Sequence, residues 1–148
     1  MKLVINTNTN TCRIYHYDKH PAKLTLLKEL NHFETKLKSG EITSDKQGHY
    51  KSSQSAHGAY SPHMEAKEVE IDKFSREIAK ELNLERTQNK YDELIVIAPP
   101  HMKGLLYQHI NKHVKDLVIK NIEKDLLNLP DHELLKFLQQ HTQFPEKT

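Results

Sequence analysis

Residues 91–100 read YDELIVIAPP, and the reading of this stretch decides the fold. From Leu94 through Ala98 every side chain is apolar, with β-branched residues at positions 95, 96 and 97. A sheet with one wet face would place a polar residue at every second position. A continuous apolar run instead suits a strand inside a parallel sheet, covered on both faces. Pro99-Pro100 then withholds the backbone donors a strand needs and ends it.

Working outward, Met102, Leu105, Leu106, Ile110, Val114 and Leu117 recur at helical spacing, and residues 118–123 read as a further strand. Pro130-Asp131 opens a last helix carrying Leu134, Leu135 and Leu138, with proline favoured in a first turn. The tail from Gln139 (139–148) is expected to fray. On the other side, Ile71, Phe74, Ile78 and Leu82 return every three or four residues, while Lys67, Glu68, Lys73, Glu77, Lys80 and Glu81 fill the opposite face. The spacing predicts an amphipathic helix over 65–84. Nearer the N-terminus, Leu3-Val4-Ile5 is a short buried strand closed by the Asn/Thr cluster of 6–11. Cys12, Ile14 and His16 alternate with Arg13, Tyr15 and Tyr17 in a second strand. After the turn signal Asp18-Lys19-His20-Pro21, residues 24–30 give a third.

The order is therefore three strands, a long loop, then helix, strand, helix, strand, helix. Right-handed crossovers make strands one, four and five parallel neighbours, with an antiparallel meander completing the sheet. The expected fold is α/β: one domain spanning 1–148, a five-stranded mixed sheet with helices on its faces, in a ribonuclease-H-like layout.

Between Gly40 and Glu65 the chain reads GEITSDKQGHYKSSQSAHGAYSPHME and shows no hydrophobic rhythm. Structureless connections longer than about 12–15 residues are uncommon in compact domains unless they are functional or disordered. This one concentrates Lys46, His49, Lys51, Ser52, Ser53, Gln54, Ser55, His57 and His63, so it is the first place to look for a site.

Composition sets limits on the chemistry. The chain has 148 residues, 36% hydrophobic and 28% charged, with a formal charge of +2 from 22 basic and 20 acidic residues. Only Arg13, Arg76 and Arg86 are arginine, so affinity for a polyanion would be diffuse and salt-sensitive. Cys12 is the single cysteine, which excludes an intrachain disulfide and a cysteine-based zinc knuckle; it reads as a small buried hydrophobe in a strand. MKLVINTNTN does not read as a signal peptide, and no stretch has the roughly 18 apolar residues of a membrane span. A cytoplasmic protein with no membrane partner is expected.

A nuclease of the ribonuclease-H type needs carboxylates at strand ends to hold metal ions. Here the first strand ends in Asn6-Thr7-Asn8 and the fourth in Ala98-Pro99-Pro100, and Glu65 with Glu68 alone makes no cage. His109 and His113 have a spacing that can bind zinc on one helix, yet His-Ile-Asn-Lys-His lacks the glutamate of the zinc-protease motif. Neither a metal nor a cofactor is expected. No glycine-rich phosphate loop can be built from four glycines, although Ser52, Ser53 and Ser55 beside His49 and His57 allow a Ser–His nucleophile to be drawn. Residues 100–124 hold five Lys and three His against Asp116 and Glu123, and residues 36–67 hold five Lys and three His against Glu41, Asp45 and Glu65. If the two regions share a face, they form an anion-binding surface.

Taken together, several segments resemble the bacterial host attachment family ("protein required for attachment to host cells"). They are Arg13-Ile14-Tyr15, Leu30-Asn31-His32-Phe33-Glu34, Ser44-Asp45-Lys46-Gln47-Gly48, Phe74-Ser75-Arg76-Glu77-Ile78-Ala79, residues 91–100 through Gly104-Leu105-Leu106, and Lys124-Asp125-Leu126. One departure is Asn8, where family members often carry Asp. The family is itself similar to the central domain of archaeal and eukaryotic class-1 peptide-release factors, whose Gly-Gly-Gln loop enters the ribosomal peptidyl-transferase centre. Ser52-Ser53-Gln54 falls at the comparable place, with serines where the glycines stand, and His63-Met64-Glu65 resembles the run that enters the following helix.

The resemblance implies an RNA- or ribosome-binding module of the cytoplasm. Its 40–65 loop would meet a ribosome or tRNA partner, with Lys46, Lys51, Ser52, Ser53, Lys103 and His101 as contacts. Two alternatives stand beside it. One is a hydrolase on peptidyl-tRNA or a related ester, with Gln54 holding water and His57 or His63 moving a proton. The other is an adhesion-related or scaffolding protein whose loop meets a protein partner.

Overall fold

The computed structural model describes residues 1–32 and 62–142, with side chains from residue 66 onward in the second stretch. Five strands form one sheet: β1 (Lys2–Thr7), β2 (Thr11–Lys19), β3 (Ala22–Asn31), β4 (Glu93–Ile97) and β5 (Val118–Ile122), in the order β3-β2-β1-β4-β5. β2 is antiparallel to both β1 and β3, while β4 is parallel to both β1 and β5. This is the ribonuclease-H-like mixed sheet expected from the sequence. Four helices complete the described residues: α1 (Pro62–Thr87), α2 (Pro100–His109), α3 (Lys112–Lys115) and α4 (Asp131–His141).

The sheet separates two cores. Leu3, Ile5, Cys12, Ile14, Leu94 and Val96 face the buried stripe of α1 (Ile71, Phe74, Ile78, Leu82) together with Met102, Leu106, Ile110 and Val114. Val4, Tyr15, Tyr17, Ile95 and Ile97 face Leu134 and Leu138 of α4. The continuous apolar run of β4 is thus explained: alternate side chains feed opposite cores, and both are filled. Each fully buried Leu or Ile contributes about 1.5–3 kcal/mol relative to exposure. Burial also pushes the Cys12 thiol up to about 12, which keeps it protonated and inert at neutral pH.

The structure corrects the sequence reading in several places. The alternation in β2 does not separate a buried from a wet face at Tyr15 and Tyr17, because α4 covers both; the Tyr15 hydroxyl donates to Asp131 Oδ1 at 2.9 Å and ties down the start of that helix. Any fraying of the tail does not begin at Gln139: α4 continues to His141, and the buried Thr142 donates its hydroxyl to the Leu138 carbonyl, while residues 143–148 lie outside the described residues. The helix expected over 65–84 spans Pro62–Thr87. It closes with Asn89 in the left-handed region (φ 56°), Lys90 N donating to Glu85 O and Asn89 N to Arg86 O. These are the paired bonds of a Schellman motif, and Asn is one of the few residues that tolerate that backbone. The helical spacing from Met102 to Leu117 is broken, since Ile110 is extended (φ −78°, ψ 145°). Asn111 then caps α3 by accepting from Val114 N at 2.9 Å. His109 and His113 therefore lie on different helices, and the premise of a zinc-binding pair on one helix fails.

Candidate functional site

The chain leaves the sheet at His32 and rejoins the described structure at Pro62. His32 is fixed from two sides. Its Nδ1 lies 3.1 Å from Thr9 O, and its ring stacks on Phe74 of α1 with centroids 5.4 Å apart and planes 13° apart. Of the residues singled out in the sequence, Lys46, Lys51, Ser52, Ser53, Gln54 and His57 lie outside the described residues. His63 falls in the first turn of α1, with its side chain outside them.

His101 and Lys103 are described, at the N-terminal end of α2, which the helix starts with proline at its first position. His101 Nε2 comes within 3.4 Å of Glu68 Oε1, so this end of α2 stands beside the early turns of α1. Lys103 Nζ donates to Glu123 Oε2 at 2.9 Å and sits 5.4 Å from the centre of the Tyr107 ring. The bond to Glu123 raises its pKa above the usual lysine value, so it is a fixed cation. The two residues share one end of one helix, and each faces a carboxylate.

The opposite end of α2 builds a second arrangement that the sequence reading missed. Asp72, Arg76, Lys80 and Asn83 form one stripe of α1, at spacings of four, four and three residues. His109 and Asn111 face that stripe, and between the two walls lies a cleft of about 300 Å³ lined by Arg76, Ala79, Lys80, Asn83, His109 and Asn111. His109 Nε2 is 2.8 Å from Asp72 Oδ1, and Arg76 Nη2 is 3.0 Å from Asp72 Oδ2. The His109 hydrogen bond first, and the Arg76 charge after it, hold the Asp72 carboxyl below the usual aspartate range against the opposing effect of desolvation. Asn83 Oδ1 accepts from Arg86 Nε at 3.2 Å, from Arg86 Nη2 at 3.0 Å and from Asn111 Nδ2 at 2.9 Å. A polar stripe of this kind reads as a solvated helix face until the docking of α2 is known. His109 was visible in the sequence, but its partner is Asp72 rather than His113.

At the other end of the sheet, Asn8 Oδ1 accepts from Asn10 N at 2.8 Å and Thr11 N at 3.0 Å, shaping the β1–β2 turn. Its Nδ2 donates to both oxygens of Asp125, at 3.4 and 3.3 Å. An aspartate at position 8 could keep the turn but could not donate to Asp125. Among the described residues no group of three or more His, Cys, Asp and Glu is arranged to hold a metal ion.

The family described as "Protein required for attachment to host cells" matches residues 3–138, and the chain belongs to that family. It is 34% identical over 113 residues to the uncharacterized protein RP470 of Rickettsia prowazekii (strain Madrid E), which covers 75% of each chain. It is also similar to the crystal structure of the archaeal translation termination factor aRF1, at 14% identity and a TM-score of 0.49. That similarity covers 83% of this chain and 30% of the termination factor, so the chain spans about a third of its length. Among the described residues no helix is long and apolar enough to cross a membrane.

Proposed function

We propose that this member of the host attachment family is an RNA- or ribosome-binding module that uses residues 40–65. Lys46, Lys51, Ser52 and Ser53 meet the partner from that segment, and His101 and Lys103 meet it from α2. One observation carries the reading: the 3.4 Å approach of His101 to Glu68 sets the N-terminal end of α2 beside the part of α1 that the segment enters. Lysines dominate the basic residues, so the contacts are to phosphates and fall away with salt. Lys103 exchanges Glu123 for a phosphate on binding, a swap of one exposed acceptor for another.

The test is co-sedimentation with ribosomes and fluorescence anisotropy with labelled tRNA over a salt series. Binding at low ionic strength that weakens steeply with salt is expected. Absence of binding to both at the lowest ionic strength overturns the reading.

A further inference from the structure

We propose that the cleft between α1 and the α2–α3 junction, lined by residues other than 40–65, is a binding site for a phosphate group. Its hydrogen-bonding capacity is one-sided. Each side-chain oxygen on its walls is already engaged by the chain itself. Asp72 Oδ1 takes His109 and Oδ2 takes Arg76; Asn83 Oδ1 takes two bonds from Arg86 and one from Asn111; Asn111 Oδ1 takes Val114 N. What remains is donors. Lys80 has no ion-pair or hydrogen-bond partner among the described residues, Arg76 spends one guanidinium nitrogen on Asp72, and Asn83 retains its Nδ2. A ligand that completes the cleft must therefore be rich in acceptors and anionic.

The charge agrees. Arg76 and Lys80 against Asp72 leave a net positive charge even with His109 neutral, and no other carboxylate lines the cleft. The donors also converge from two walls. Arg76, Lys80 and Asn83 come from one face of α1, while the second Nδ2 hydrogen of Asn111 comes from the other side, where the His109 ring forms the wall. Donors on two walls match the several terminal oxygens of a tetrahedral phosphate better than the two coplanar oxygens of a carboxylate, and a guanidinium pairs with phosphate through parallel bonds. At about 300 Å³ the cleft lies at the lower end of small-ligand sites, which run from about 300 to 1,000 Å³. It has room for a phosphate carried on a small organic group as well as for the free ion.

The experiment is a set of ¹H–¹⁵N spectra of the full chain, titrated with inorganic phosphate, with adenosine 5′-monophosphate and with adenosine, at constant ionic strength set by chloride. Expected are saturable shifts of the Lys80, Asn83, His109 and Asn111 amides with both phosphate compounds and none with adenosine. Tighter binding of the monophosphate than of phosphate assigns the cleft to a phosphate on a nucleoside-sized carrier. Equal binding assigns it to the ion, and either result supports a phosphate site. The double variant Arg76→Gln, Lys80→Gln changes two exposed side chains and leaves the core untouched; it should weaken binding at least tenfold. No saturable shift with either phosphate compound, or an unchanged affinity in the double variant, overturns the proposal. Substitution of Lys46 and Lys51 should leave these titrations unaltered, so failure here and failure of the RNA-binding reading are separate results.

Discussion

The two ends of α2 meet basic side chains under opposite conditions. At its N-terminal end His101 faces Glu68 at 3.4 Å and Lys103 faces Glu123 at 2.9 Å, so each basic side chain has its own carboxylate. At its C-terminal end a single carboxylate, Asp72, is shared by His109 and Arg76, and Lys80 stands beside them without a partner among the described residues. A tally of Lys and His along 100–124 treats these ends alike. Where the carboxylates sit separates them. At the first end an anion must displace a partner; at the second it fills an open set of donors.

The comparison can be broken from the helix that joins both ends. Leu106 is fully buried on the inner face of α2, and Leu106→Ala should cost about 2–5 kcal/mol of stability in denaturant unfolding. Because α2 contributes to both sites, phosphate shifts and RNA binding should weaken together in this variant. Loss at only one end would show that the two do not depend on the same helix.

A smaller effect isolates the C-terminal end. Asn111→Ala removes the cap of α3 and should cost about 1 kcal/mol, within a usual range of about 0.5–2. Asn111→Asp can keep the cap, since a carboxylate accepts from Val114 N, but it brings negative charge to the cleft. It should abolish the phosphate shifts with less loss of stability than the alanine variant. Equal phosphate binding by the aspartate variant would contradict the electrostatic account of the cleft.

At the N-terminal end the Lys103–Glu123 pair is partly exposed, and such pairs contribute about 0–1 kcal/mol. Glu123→Gln should therefore barely move the unfolding midpoint, while releasing Lys103 and strengthening RNA binding at low salt. Unchanged affinity would remove Lys103 from the contact surface.

The smallest effect is one of pH. Asp72 is held below the ordinary aspartate value of 3.8, chiefly by the hydrogen bond from His109. A depressed carboxylate stabilises the folded state fully above the unfolded value, and the contribution is lost as pH falls through the folded one. Wild type should exceed Asp72→Asn in stability at about pH 5, and the margin should narrow progressively below pH 3.8. A margin independent of pH down to acid unfolding would show that the carboxylate charge is not what holds His109 and Arg76.

Much of the fold was legible because it rests on side-chain periodicity. Leu94 through Ala98 announced a strand buried on both faces, and Ile71, Phe74, Ile78 and Leu82 announced α1. The break in α2 was hidden, because Ile110 continues the apolar rhythm while its backbone is extended, and Asn111 signals a cap only once the break is known. Tyr15 and Tyr17 are ambiguous for a related reason: tyrosine suits a wet strand face and a covered one, and only α4 decides between them. The cleft was illegible in principle. Asp72, Arg76, Lys80 and Asn83 have the spacing of any solvated stripe, and their meaning depends on His109 and Asn111 arriving from another helix. His101 and Lys103 were named from the sequence, and the structure adds that both are paired.

The most direct test of the central claim is the salt dependence of tRNA or ribosome binding, measured for wild type and for the double variant Lys46→Ala, Lys51→Ala. Each phosphate contact contributes about −0.7 to −0.9 to the slope of log affinity against log salt, so losing two contacts should flatten the slope by about 1.5 and weaken binding across sequences alike. A double variant with the slope and affinity of wild type, or a wild type that fails to bind at the lowest ionic strength, would contradict it.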